Sequence, residues 1–317
     1  MMHAIPSMRR AIQRNQLIYA SGPDMALLAI IANIGLGRPV IFEVGDIRRV
    51  QVSTSVTGRL VRIMDRLVAK FSELLVVTAP EFIEGYYRKW LNAKTPAIVL
   101  ENKLEKEWVK IDRTKNIVPK NGRPLTIGYF GVLRCNWSWE VLETLALSRP
   151  DDIKIIVAGH ILTPSDLAER ITKIPNIEFR GEYQSPLDLP SLYCDVDLVW
   201  ACYPPPEIKN DNWRWAQMIC RSNRFYESCY FKKPIISVKG SGDAKEVEYY
   251  QIGKIISDQS IDGMLYILTN ITEEELYSWD ENLSNLPESV YQYTTEINDL
   301  RNKVKTIIDN SVKNVNK

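Results

Sequence analysis

Two hydrophobic rhythms alternate along this chain. Short apolar runs at residues 16–20, 39–44, 74–78 and 97–100 predict buried strands in the first third. Between them, residues 25–35 predict a helix that Asp24 caps and that Gly35 and Gly37 end. Residues 56–74 predict a second helix, with apolar Leu60, Met64, Leu67, Phe71 and Leu74 at helical spacing. Arg59, Arg62, Arg66 and Lys70 form a stripe opposite this apolar face. Pro80 opens a third helix, running to about Leu91.

A polar, lysine-rich stretch over 101–124 follows and carries the turn chemistry Asn121-Gly122 and Pro124. The rhythm then restarts. Runs at 125–130, 153–158, 177–180, 198–201 and 234–238 predict strands, and helices are expected from about Ser138 and over 165–171, 187–193 and 224–231. The tail is polar and helical, with Tyr293, Ile297, Leu300, Val304 and Ile307 three or four apart. Short buried strands alternating with helices predict parallel sheets built from βαβ units. The expected class is α/β, with two doubly wound, Rossmann-like domains over 1–120 and 121–285 and a helical tail over 286–317 that packs back on them. Ligands are then expected at the carboxyl ends of the strands, in a cleft between the domains.

A length of 317 residues suits two domains, and 45% hydrophobic with 25% charged residues excludes whole-chain disorder. The net charge of +1 hides an asymmetry: residues 1–120 hold 19 Lys/Arg against 11 Asp/Glu, whereas the remainder is acidic. The basic half is expected either to face something anionic or to complement the acidic half. Five cysteines form no CxxC pair and only two histidines occur, so no zinc site is expected, and scattered cysteines fit a reducing, cytoplasmic compartment. The longest apolar stretch, residues 25–36, is too short to span a bilayer. No secretory signal and no basic-aromatic stripe for nucleic acid is read.

Three segments together resemble a GT-B glycosyltransferase, closest to the retaining GT4-type enzymes of bacterial polysaccharide biosynthesis. They are residues 39–48, a strand ending in Gly45-Asp46; residues 127–134, with Gly131 in the loop after a strand; and Asn223-Arg224-Phe225-Tyr226-Glu227 continuing into the strand after Lys233-Pro234. Residues 177–181 match a further strand of that family, and the resemblance spans roughly 17–260. It implies a metal-independent, retaining hexosyltransferase without a cofactor. Such an enzyme takes a nucleoside diphosphate sugar as donor and a glycan or lipid-linked acceptor in surface polysaccharide synthesis. Relative to the family, the first domain is expected to be shortened at its N-terminus. The family's paired glutamates are incomplete here: Glu227 fits the second, but Ile219 stands at the first.

The candidate site residues follow from the chemistry of a leaving diphosphate, which arginines and backbone N–H groups neutralise. Arg134, in the loop after Gly131, is expected to fork onto phosphate oxygens, and Arg224 to touch phosphate or sugar. Glu227 is expected to accept the ribose hydroxyls, so that Glu227→Ala weakens nucleotide binding with the fold intact. Asn223 is expected to cap its helix or line the donor site with Tyr226. Gly240 and Gly242, around Ser241, let backbone N–H groups approach a phosphate, although many tight turns look the same. Asp46 is the candidate catalytic carboxylate on the acceptor side, with Glu43 the alternative. Asp195 and Asp197 imitate a DxD metal motif but precede a strand, where aspartates end turns, and are not assigned to a metal. Trp213 and Trp215 are candidates for stacking on the donor. The stripe of Arg59, Arg62, Arg66 and Lys70 is a candidate peripheral contact with anionic membrane, or a solvated face. Two rival readings remain: an inactive nucleotide-binding or partner subunit, and a nucleotide-sugar epimerase of similar form.

Overall fold

The computed structural model describes residues 4–106, 123–203 and 219–315, arranged in two compact units. The first unit holds residues 4–102, 219–220 and 294–315, and the second holds 103–106, 123–203 and 221–293. Each is an open, parallel α/β sheet with helices on both faces.

In the first unit the strands β1 (Ile18–Ser21), β2 (Val40–Val44), β3 (Leu74–Val77) and β4 (Ala97–Val99) lie in chain order, all parallel. Side-chain alternation divides them between two cores. Phe42, Val44, Leu75 and Val77 face the layer that contains helices α2 (Pro23–Ala32) and α4 (Val56–Lys70). Ile41, Leu74 and Val76 face Leu300, Val304 and Ile307, so the tail, the long helix α12 (Glu296–Val315), packs on the first sheet. Helix α1 (Ile5–Gln13) docks on α2, and its Arg9 donates to the carbonyls of Ala32 and Ile34, satisfying groups that α2 leaves open at its C-terminus. A short helix α3 (Arg49–Val52) precedes α4, and a π-helical turn over Phe82–Arg88 replaces the third expected helix.

One sequence expectation is corrected here. Asp24 does not cap α2: Gly22 is the N-cap, with φ of +80° and Pro23 at the first turn. The apolar stripe of α4 lies largely on the outside. Its sheet-facing side is built from Gly58, Asp65, Val68 and Ala69, while Leu60, Leu67 and Phe71 are exposed. Small residues let the helix approach closely, and a Cβ on Gly58 would meet the Ser53 carbonyl oxygen at 2.4 Å. The buried Asp65 carboxylate accepts hydrogen bonds from Gln51 Nε2 at 2.7 Å and the Tyr86 hydroxyl at 2.5 Å. Burial pushes that carboxyl above its ordinary range, against the pull of both bonds.

In the second unit the strands are β5 (Leu125–Phe130), β6 (Ile153–Ala158), β7 (Ile177–Phe179), β8 (Leu198–Trp200), β9 (Ile235–Val238) and β10 (Gly253–Ile256). Their order, β10-β9-β8-β5-β6-β7, reverses between β5 and β8. That reversal is the switch point at which ligands bind in open α/β sheets. Helices α5 (Asn136–Ser148), α10 (Ile261–Thr269) and α11 (Glu273–Ser284) cover one face through Trp139, Leu142, Met264, Leu268 and Trp279, together with the short α6 (Leu167–Ile171). Helices α7 (Leu189–Cys194), α8 (Asn223–Phe231) and α9 (Gly242–Tyr250) cover the other.

Candidate functional site

The carboxyl ends of β5 and β6 are pulled tightly together. Gly131 N donates to Ala158 O and Gly159 N to Gly181 O. Both glycines have positive φ, and a Cβ on Gly159 would lie 1.8 Å from the Gly131 carbonyl oxygen. Only glycine at both positions lets the two loops pass this closely. Gly131 also leaves room above it for a charged side chain from α8. A Cβ there would meet Arg224 Nη2 at 2.6 Å.

Arg224 is therefore the centre of the site. Its guanidinium donates through Nε to the Phe130 carbonyl at the end of β5 and lies 5.5 Å from the ring of Tyr129 and 4.9 Å from that of Tyr203. Two ring faces and a carbonyl hold a buried cation that forms no ion pair with a carboxylate among the described residues. Glu227, one turn later on α8, is also buried and accepts a hydrogen bond from the Tyr193 hydroxyl at 2.7 Å. Burial raises its pKa, with the Tyr193 bond and the Arg224 charge pulling the other way. Burial also lifts the Tyr183 phenol, beside Glu227, to about 12.

Helices α8 and α9 begin side by side. Ser222 is the N-cap of α8, a correction to the expected Asn223, which sits exposed on the first turn. The backbone N–H of Ser222 donates to Asp243 at 2.8 Å and its hydroxyl to the other carboxylate oxygen at 2.6 Å. Asp243 stands in the first turn of α9, where Ser241 caps the helix and Gly240 turns at φ of +85°. Burial pushes the Asp243 carboxyl up to about 6, with the Ser222 bonds and two arginine charges acting against it. Two helix N-termini thus end at one buried carboxylate close to Arg224, leaving N–H dipoles next to a cation.

The structure brings Gly131, Arg224, Glu227, Gly240 and Gly242 into this region of the second unit. Arg134 lies exposed on the same β5 loop, after buried Leu133. Tyr226 is buried in the core, its ring edge-on to Phe225. Asp46 belongs to the first unit: exposed beyond β2, it accepts from Ile47 N at 2.8 Å and Cys220 Sγ at 3.5 Å. Asp197 accepts from both terminal nitrogens of Arg123 and from Thr126 N, and Asp195 pairs with Arg180. These partners assign both aspartates a structural task. In the basic stripe of α4, Arg62 is turned back onto the carbonyls of Gln51 and Ser53, and Arg66 donates through Nε to the Leu91 carbonyl at 2.8 Å. Trp213 and Trp215 lie outside the described residues.

Sequence reasoning missed Ser222, Asp243, Tyr129 and Tyr203. A serine directly before the helix was the available signal for the cap. Nothing local marks the two tyrosines, which reach Arg224 only because β5 and the chain after β8 end together.

No family model matches the chain. It is 28% identical over 268 residues to the succinoglycan biosynthesis protein ExoL of Rhizobium meliloti (strain 1021), an alignment covering 82% of this chain and 65% of ExoL. The chain thus spans less than two thirds of that relative. Among solved structures it resembles Anabaena Alr3699/HepE in complex with UDP, with a TM-score of 0.70 at 16% identity over 95% of this chain and 82% of that one. It also resembles the sucrose-phosphate synthase of Thermosynechococcus elongatus, with a TM-score of 0.66 at 11% identity over 96% and 79%. The two parallel α/β units are those of the GT-B glycosyltransferase fold.

Proposed function

We propose that this chain is a glycosyltransferase of surface polysaccharide synthesis that moves a hexose from a nucleoside diphosphate sugar to a glycan or lipid-linked acceptor. The observation that carries the reading is the buried Arg224 guanidinium at the switch point of the second sheet, above a glycine loop and beside the α8 and α9 N-termini. A leaving diphosphate develops negative charge as the bond from its oxygen to the sugar's anomeric carbon breaks. A preorganised cation with aligned N–H groups stabilises that charge without reorganising. Arg224 and Arg134 hold the diphosphate in this proposal, Glu227 the ribose, and Gly240 and Gly242 leave the approach to the N–H groups open. Asn223 contributes an amide at the rim. Asp46 orients the acceptor hydroxyl and takes its proton. The reaction is retaining and independent of a metal, and the protein works at the cytoplasmic side. Support comes from ExoL's place in succinoglycan biosynthesis and from the fold's likeness to structures of HepE with UDP and with UDP-glucose.

Calorimetric titration of the full chain with UDP, GDP and their hexose conjugates tests the reading. One nucleotide is expected to bind, and Arg224→Ala to weaken it about 30-fold, the loss of a charge-assisted pair of about 2 kcal/mol. A folded chain that binds none of them overturns the donor site. With an acceptor, the anomeric configuration of the product by NMR tests retention, and unchanged turnover in EDTA tests metal independence. Conversion of the free nucleotide sugar to its epimer would replace transfer by epimerisation.

A further inference from the structure

The first turns of α8 and α9 meet at Asp243. It is the second residue of α9 and only 3% exposed. Its two carboxylate oxygens accept from the backbone N–H and the hydroxyl of Ser222, the N-cap of α8, at 2.8 and 2.6 Å. Arg224 follows Ser222 by two residues. Two further contacts brace the junction. The hydroxyl of Ser241, the N-cap of α9, lies 2.9 Å from that of Ser237 in β9. Arg221 Nη2 pairs with Glu246 Oε1, one turn further along α9, at 2.8 Å.

A buried carboxylate in this place opposes both folding and an incoming anion. Burial disfavours its charge, and it would repel a diphosphate brought to Arg224. Helix capping does not account for it. Ser222 already accepts from Phe225 N and Ser241 from Ala244 N, so each helix has a cap of its own. What Asp243 adds is a link between the two caps. The first N–H groups of each helix have no partner within their own helix and point out of its start. Fixing one cap against the other therefore fixes the direction of both sets of N–H groups, and the place of Arg224 on the first turn of α8.

We propose that Asp243 is a positioning residue of the donor's diphosphate subsite, holding the cap of α8 against the first turn of α9 so that Arg224 and the N–H groups of both helices converge on one anion. The role rests on the donor-site reading of Arg224 and Glu227, and Asp243 acts through Ser222 rather than by touching the substrate. The charged and titratable groups facing it are Arg221 ahead of α8, Arg224 and Cys229 on α8, and Cys202 after β8, with Glu246 paired to Arg221. Burial pushes both thiols well above the ordinary cysteine range, so neither titrates near neutrality.

Hydrogen exchange of the free chain, together with calorimetric titration by UDP-glucose and GDP-mannose, tests the role. Asp243→Ala removes both acceptors. Residues 222–226 should then exchange at least about tenfold faster while β6 is unchanged, and donor affinity should fall about tenfold. Asp243→Asn is the conservative rescue: its Oδ1 accepts from the Ser222 N–H and its Nδ2 donates to the Ser222 hydroxyl. Exchange, and affinity at about pH 5.5, should stay within about twofold of the parent. Ser222→Ala loses only the hydroxyl's bonds and should fall between the two; it carries the test if Asp243→Ala shows no thermal transition. The charge gives a second readout. Asp243 loses its proton at about pH 6. Between about pH 5.5 and 8 the diphosphate of a nucleotide sugar does not titrate, and parental affinity should fall severalfold more than that of Asp243→Asn, since only the parent gains a negative charge beside Arg224. Glu227 is common to both chains and cancels in that comparison. Unchanged exchange in the variants, equal losses of affinity in Asp243→Ala and Asp243→Asn, or equal pH profiles in the parent and Asp243→Asn overturn the positioning role even where a nucleotide sugar binds. A parent that binds neither nucleotide sugar, while Asp243→Ala still loosens α8, overturns the donor-site reading and with it the subsite that Asp243 would serve.

Discussion

The two faces that carry chemistry in this molecule invert the usual rule in opposite ways. At the carboxyl end of the second sheet, charged groups are buried: Arg224, Glu227 and Asp243 all lie inside. On α4 of the first unit, large apolar groups are exposed. Buried charge needs partners, and Arg224 has a carbonyl and two aromatic rings, Glu227 a phenol, and Asp243 two groups of Ser222. The difference separates a cluster of buried charges, each held by partners within the fold, from an apolar face left to solvent.

The contrast should be visible in stability first. Gly159→Ala places a Cβ 1.8 Å from the Gly131 carbonyl at a backbone φ of +134°. The expected cost is about 3 kcal/mol or more, read by urea unfolding, with loss of nucleotide binding because the β5 loop must move. A smaller cost would mean that the two loops are not held as tightly as the pocket requires.

Next comes the pH dependence of Asp243. Its folded pKa of about 6 stands above the ordinary aspartate value of 3.8. Between these values the folded state binds more protons than the unfolded one, so this group's contribution is full below about pH 4 and is lost as pH rises through about 6. Relative to Asp243→Asn, the parent should therefore lose roughly 2–3 kcal/mol between pH 4 and 7. A flat difference would show that the Ser222 bonds fully offset burial.

Glu227→Ala is expected to cost about 1–2 kcal/mol, because the buried Tyr193 hydroxyl would lose its acceptor. The sequence alone suggested a variant that leaves the fold intact, and burial changes that expectation. Glu227→Gln keeps an acceptor and is the better probe of nucleotide binding. Its titration should show weaker affinity with near-parental stability.

The smallest effect belongs to the outward stripe. Leu60→Gln should change stability by no more than about 0.5 kcal/mol, as a substitution at a solvated position. A cost comparable to that at Glu227 would mean that Leu60 packs on something, and the contrast between the two faces would fail.

Much of this was legible in the residues. The run from Leu125 to Phe130 became a strand with those same bounds, and Ile153–Ala158 did likewise, because a strand buried on both faces is mostly apolar, with Thr126 and Lys154 the polar exceptions near the strand starts. Gly131, Arg224 and Glu227 stood out as chemistry at strand ends or early in a helix. Other features were not legible, for identifiable reasons. Tyr226 lies between two candidate residues in sequence, and only the fold shows that its ring packs in the core. Asp243 looked like an ordinary residue of a helix start until Ser222 came to meet it.

Helix α4 marks the boundary between the two kinds of knowledge. Periodicity predicted a helix over residues 56–74 with a large apolar side, since 3.6 residues per turn leaves that pattern in any amphipathic segment; the helix ends at Lys70, and Leu74 opens β3 instead. It could not say which side faces the sheet. That was decided by the close approach of Gly58 to the backbone of Val50 and Ser53 and by the buried Asp65 network with Gln51 and Tyr86. In the same way the sequence determined strands, helices and a supply of arginines. The order of the second sheet, which depends on pairings between distant segments, decided that Arg224 would meet the end of β5 at the switch point.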